Sequence, residues 1–118
     1  MWWVGGDGDW GGRKDMISGL ERYGAMLWYP CPYEGFESND HVVYMGGAPN
    51  HHMIPLLDRV LSQGTRRAYL LGSNYVWGWA TLRLARERLS AAGVEIGGER
   101  FVPLGDVESD LALSAILA

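Results

Sequence analysis

Apolar residues recur along this chain with two alternating periods. Over residues 13–23, Met16, Ile17, Leu20 and Tyr23 fall three or four apart, which predicts a helix with one packed face. Gly24 follows as its C-terminal cap. Residues 25–29, Ala-Met-Leu-Trp-Tyr, are apolar without a break, the pattern of a short strand buried on both faces of a parallel sheet. Residues 30–40 have no period and read as a loop. Residues 41–45 read as a second strand, running into Gly46-Gly47-Ala48-Pro49.

The same alternation continues beyond that turn. Asn50 is placed to cap a helix with Met53, Leu56, Leu57, Val60 and Leu61 on one face and Gly64 at its end. Pro55 falls in its first turns, where proline is better tolerated than mid-helix. Residues 67–71 predict a strand and 72–78, Gly-Ser-Asn-Tyr-Val-Trp-Gly, a loop. Residues 79–92 predict a helix, with Leu82, Ala85, Leu89 and Ala92 inward and Gly93 as cap. Residues 94–102 predict a strand bent or bulged at Gly97-Gly98. Residues 103–106 turn into a last apolar helix, of which 111–118 are the first turns. The fold class is α/β, a parallel sheet with flanking helices and right-handed crossovers. The best boundary is Gly46–Pro49, dividing 1–48 from 49–118. Both ends read as cut from a longer protein, and no signal peptide is visible at Met1-Trp-Trp-Val4.

Composition narrows the function classes. The 118 residues suit one domain-sized body, and 17 of them are glycine, about twice the usual share, so close backbone approaches are expected. Net charge is −4, with Lys and Arg scattered, which argues against a dedicated nucleic-acid surface. The Arg66-Arg67 and Arg83/Arg86/Arg88 clusters read as solvated faces. A single cysteine rules out an intrachain disulfide and a thiolate metal cluster. No apolar run approaches the ~18 residues of a membrane span, so membrane insertion is not expected.

Chemistry concentrates in two aromatic loops. Ligands of open α/β sheets bind beyond the carboxyl ends of the strands. Two stretches leave such ends: Tyr29-Pro30-Cys31-Pro32-Tyr33 and Ser73-Asn74-Tyr75-Val76-Trp77. Two prolines stiffen the first. Facing each other across a cleft, the two would offer aromatic walls with phenol, thiol and backbone groups, suited to a small, neutral, polar solute; aromatic packing without a ligand is the bland alternative. Gly6-x-Gly8-x-x-Gly11 matches a dinucleotide fingerprint in form only, since Asp7 and Asp9 would repel a pyrophosphate. Asp7-x-Asp9 also lacks the glutamate of a calcium loop, having Ser18 there. His51-His52 has no further ligand at metal spacing and reads as surface or capping histidines, and His41 is equally unremarkable. Cys31 has no Cys–His signature, and Asp106, Glu108 and Asp110 suit a helix start. No catalytic residue, metal or cofactor is expected.

Five motifs occur in order: Arg13-Lys14 before a helix; Trp28-Tyr-Pro-x-Pro-Tyr-Glu-Gly-Phe-Glu37; Val43-Tyr44-x-Gly46-x-Ala48-Pro49-Asn50; Gly72-Ser-Asn-Tyr-Val-Trp-Gly-Trp79; and Phe101-Val-Pro-Leu-Gly-Asp106. Over roughly residues 13–108 they resemble the middle of type I periplasmic-binding-type proteins, in the short-chain-amide and urea receptor branch. The resemblance implies parts of two Rossmann-like lobes of a Venus-flytrap receptor that closes on its ligand. It places Tyr29, Cys31 and Pro32 on the first-lobe pocket loop and Tyr75 and Trp77 on the second. It implies a small amide, urea or amino-acid-like solute, an ABC permease or an antiterminator-type regulator as partner, and room for a homodimer. The location implied is periplasmic if the full-length protein is exported, otherwise cytoplasmic. Trp10-Gly11-Gly12 stands where relatives carry a Ser/Thr-rich pocket segment. Other readings are a cytoplasmic amide sensor, a non-functional fragment and a Rossmann-like enzyme.

Overall fold

A computed structural model of the chain describes residues 3–5, 10–105 and 114. The chain divides into two compact units, Met1–His52 and Met53–Ala118.

In the first unit, β1 (Trp3–Gly5), β2 (Met26–Tyr29) and β3 (Val42–Tyr44) form a parallel sheet in the order β1-β2-β3. The helix α1 (Trp10–Tyr23) starts three residues before the predicted residue 13, because the Trp10-Gly11-Gly12 stretch is already helical. It packs Met16, Ile17 and Leu20 with Ala25, Leu27, Tyr29 and Val42. Leu27 is fully buried and Tyr29 2% exposed, whereas Trp28 between them is 44% exposed. The expectation of a strand buried on both faces is therefore corrected. Successive side chains alternate across the sheet, and the Met26/Trp28 side carries the more exposed residues. An apolar run does not reveal whether both faces are covered.

The helix α2 (Pro49–Ser62) begins at the end of the first unit and runs into the second. Its start differs from the sequence expectation. Pro49 is the first helical residue and Asn50 lies inside the helix. The preceding residue, Ala48, donates its N–H to Nδ1 of His51 at 3.1 Å, while the His51 N–H reaches the Ala48 carbonyl at 2.8 Å. A histidine thus supplies the reciprocal half of a capping box, a role usually taken by Glu or Gln.

In the second unit, β4 (Arg67–Ser73) and β5 (Glu95–Val102) pair in parallel around α3 (Val76–Ala91). Leu57, Leu70, Leu82, Ala85, Leu89 and Val94 form its core. Ala68 pairs with Ile96 but Tyr69 with Gly98, so Gly97 is the extra residue of the bulge expected at this glycine pair. The predicted loop 72–78 shrinks to Asn74 and Tyr75, because β4 runs on to Ser73 and α3 starts at Val76. Gly72 and Gly78 are not loop residues. A Cβ on Gly78 would lie 2.1 Å from the Ser73 carbonyl oxygen, and one on Gly72 would lie 2.9 Å from Leu82. The glycines let strand and helix lie nearly in contact.

Helices α1 and α3 end alike. Gly24 and Gly93 have φ of 60° and 79°. The next residue in each case donates back five positions, Ala25 to Leu20 and Val94 to Leu89, at 2.9 and 3.0 Å. The glycine N–H groups close the inner bonds to Glu21 and Ser90. These are Schellman closures with their apolar clasp, since all four clasped residues are buried. At the end of α2, Gly64 has φ 77° and the Thr65 hydroxyl donates to the Val60 carbonyl at 2.9 Å. The five arginines read as solvated do lie on exposed surface, four of them in the ion pairs Arg83–Glu87, Arg86–Glu99, Arg88–Asp58 and Arg67–Glu95. The predicted last helix over 111–118 lies outside the described residues apart from Ser114, which is helical, as do Gly6, Asp7, Gly8 and Asp9 of the glycine-rich start.

Candidate ligand-binding site

Tyr29 is the last residue of β2, so the Pro30-Cys31-Pro32 segment leaves the carboxyl end of a parallel strand. Three contacts hold it against the end of β3. The Met45 N–H donates to the Tyr29 carbonyl at 2.9 Å, and the Tyr33 N–H to the Gly47 carbonyl at 3.0 Å. Between these two bonds Gly46 lies against the Cys31–Pro32 peptide. Proline stiffness and this backbone clamp together define the loop. Cys31 is half-buried and packs against the core of the unit, and Pro32 is exposed. Tyr29 contributes a buried wall rather than surface.

Beneath the loop lies a buried charge cluster that reasoning from sequence missed. Arg13, in the first turns of α1, is fully buried. Its Nε and Nη2 both donate to Oε2 of Glu37, at 3.1 and 2.9 Å, and Nη2 also donates to Oε2 of Glu34 at 3.1 Å. The guanidinium carbon lies 4.5, 5.5 and 5.6 Å from the ring centres of Tyr29, Tyr33 and Tyr44. The rings of Tyr33 and Tyr44 are 4.1 Å apart, and Tyr29 meets Tyr44 edge-on. The Glu37 N–H donates to the Tyr33 hydroxyl at 2.6 Å. Arg13 Nη1 and the Tyr44 hydroxyl are buried with no hydrogen-bond partner among the described residues.

Burial dominates the electrostatics of this cluster. It pushes the Tyr44 phenol up to about 12, with the Glu37 charge and Tyr33 adding to it. Tyr29 and Tyr33 are raised for the same first reason, burial, with nearby carboxylate charge in support. For Arg13 burial pulls the pKa down, but the bonds and charges of Glu37 and Glu34 more than offset it, and the net direction is upward. The cation stays protonated throughout. The signal for this cluster was present as Arg13 and as two acids three apart in an aromatic loop, Glu34 and Glu37. Nothing in the spacing said that the three would meet.

The second aromatic stretch lies at the carboxyl end of β4. Tyr75 occupies the N-cap position of α3 in an extended conformation, φ −155° and ψ 158°, and its carbonyl accepts from the Trp79 N–H at 3.0 Å. The Asn74 N–H donates to the Val102 carbonyl at 2.7 Å, tying the turn to β5. Trp79 Nε1 donates to Oδ1 of Asn74 at 3.0 Å. Tyr75 and Trp77 are both half-buried, and Trp77 stands in the first turn of α3 rather than in a loop. The structure thus gathers Tyr29, Cys31 and Pro32 at one sheet end, and Tyr75 and Trp77 at that of the other unit. His41 is structural: its Nδ1 bonds the Ala25 carbonyl at 2.8 Å. Among the described residues no cluster of His, Cys, Asp and Glu could hold a metal ion. No described helix is long and apolar enough to cross a membrane.

Known proteins share this architecture. A solute-binding protein of an ABC transporter from R. palustris, solved in complex with benzoate, superposes with a TM-score of 0.76 at 17% identity. The match covers 97% of this chain and 33% of that one, so the chain spans about a third of that protein's length. A family model described as a periplasmic binding protein domain matches residues 9–118. The chain belongs to the periplasmic binding protein domain family.

Proposed function

We propose that this chain is part of a solute-binding receptor that serves an ABC importer, and that its solute is a small neutral amide or urea. The solute would meet Cys31 and Pro32, backed by the buried Tyr29 ring, in the first unit and Tyr75 and Trp77 in the second. A full-length protein of this kind would be exported to the periplasm and deliver its solute to a permease. The chain would act as a binder, without catalysis.

The observation that carries the reading is the clamped Tyr29–Tyr33 loop over the Arg13 cluster. The loop presents a stiff aromatic and proline surface at the end of a parallel strand, where such folds bind ligands. The cluster beneath it joins one guanidinium to two carboxylates. Its net negative field therefore disfavours an anion, including a carboxylate such as the benzoate of the R. palustris protein, and is compatible with a neutral polar molecule. Calorimetry on the full chain with acetamide, urea and benzoate tests this. Heat with acetamide or urea and none with benzoate is the expected result. Heat with a nucleotide and none with any amide would sink the receptor reading.

A further inference from the structure

We infer that Arg13 is a positioning residue for the proposed site, fixing the shape of residues 29–37 without touching the solute. The inference rests on the receptor reading above, because it takes residues 29–32 as the segment that meets the solute. Arg13 holds both ends of that segment's supports. It lies 4.5 Å from the Tyr29 ring on one side of Cys31-Pro32, and it bonds Glu34 and Glu37 on the other. Between the two glutamates the chain reverses through Gly35 and Phe36, with φ of 85° and 67°. Phe36 is 70% exposed, and its left-handed backbone is one that a residue with a side chain seldom adopts without support from its surroundings. The glutamates on either side are what is anchored, and the anchor is Arg13. Tyr33 adds a second tie through its hydroxyl on the Glu37 N–H.

The chemistry of the cluster fits shape control better than stability. A buried ion pair gains little over an apolar replacement of equal volume. This one also leaves Arg13 Nη1 and the Tyr44 hydroxyl buried without partners among the described residues. What a guanidinium supplies and an apolar group or a lysine does not is a planar fork that fixes several partners at set angles.

Hydrogen exchange on the full chain, with Arg13→Lys and Tyr33→Phe compared with the parent, decides the point without any ligand. The expected result is exchange about tenfold faster at residues 29–37 in Arg13→Lys, from the loss of hydrogen bonds between charged groups, with residues 67–73 and 95–102 unchanged. Tyr33→Phe keeps the ring and all Arg13 bonds, and should accelerate the same peptides by a smaller factor. If Arg13→Lys does not fold, Glu37→Gln, which removes the charge that accepts two of the Arg13 bonds, decides the matter in its place. Uniform acceleration across both units, or none at 29–37 when the Arg13 bonds are removed, overturns the inference whatever Tyr33→Phe shows. Acetamide titrations of the folded proteins, well below their melting temperatures, supply the second readout. A dissociation constant raised about tenfold in Arg13→Lys supports positioning, and an unchanged one overturns it. If the parent itself binds neither acetamide nor urea, the receptor reading fails, while the exchange result still decides the hold of Arg13 on 29–37.

Discussion

The Cα of Gly46 rests against the Cys31–Pro32 peptide so closely that an added Cβ would lie 2.0 Å from the Cys31 carbonyl oxygen and 2.7 Å from the Pro32 nitrogen. Both neighbours are backbone, so no rotamer change relieves the clash. Gly46→Ala should destabilise the first unit by about 1–3 kcal/mol, the usual range for overpacking a tight site. Guanidinium chloride denaturation followed by tryptophan fluorescence measures it. A variant as stable as the parent would show that the loop can lift off β3 at no cost.

Arg13→Met tests the buried cluster from the stability side. It leaves Glu34 and Glu37, with side chains 6% and 10% exposed, without their cation. Removing one partner of a buried pair costs about 3–5 kcal/mol, far more than the net worth of the intact pair. The denaturation midpoint should fall accordingly. Adding Glu34→Gln and Glu37→Gln to that variant should recover part of the loss, because the unpaired charges go with them.

The tyrosines give the protein an alkaline limit. Burial pushes the Tyr44 phenol up to about 12 from 10.0, and Tyr29 and Tyr33 are shifted in the same direction. The unfolded chain therefore loses these protons first as pH rises. Their contribution to stability is complete below pH 10 and is lost between pH 10 and about 12. Tyrosinate absorbance should show a late-titrating class. Unfolding should set in within the same window. Tyr44→Phe should remove the latest member of that class.

Tyr75→Ala addresses the second unit. If its phenol meets the solute, the substitution should weaken acetamide binding by about 1–3 kcal/mol, through a lost hydrogen bond and a gap in the wall. Calorimetry at matched protein concentration reads this directly. Unchanged affinity would remove the β4 end from the proposed site.

Local pattern carried most of the fold, and long-range meetings carried what it could not show. Period and glycine closure located α1, α2, α3 and the strands β2, β3, β4 and β5, because Leu20, Leu89 and their glycines act within a few residues of each other, but β1 was not expected. The helix starts were less legible. Asn50 has the side chain of a cap, yet Pro49 and His51 together begin α2 two residues earlier, with Ala48 in the cap position. Gly72 and Gly78 looked like loop residues because close approach and flexibility leave the same letter in the sequence. The loop bearing Tyr29, Cys31 and Pro32 could be placed at a strand end from its prolines. The Arg13–Glu34–Glu37 contact could not, since it joins residues 21 and 24 positions apart that no period links.

Every strand pair among the described residues is parallel. Parallel partners cannot be zipped from a tight turn, so pairing must wait until an intervening stretch of chain has closed. Between β4 and β5 that stretch is α3, whose glycine clasp at Gly93 can form from neighbours alone. The helix and its clasp are thus available before the sheet, and aim β5 back along β4 when it arrives. Folding speed in the second unit should accordingly follow the closure of this crossover, and changes to the clasp should be felt as slower sheet assembly.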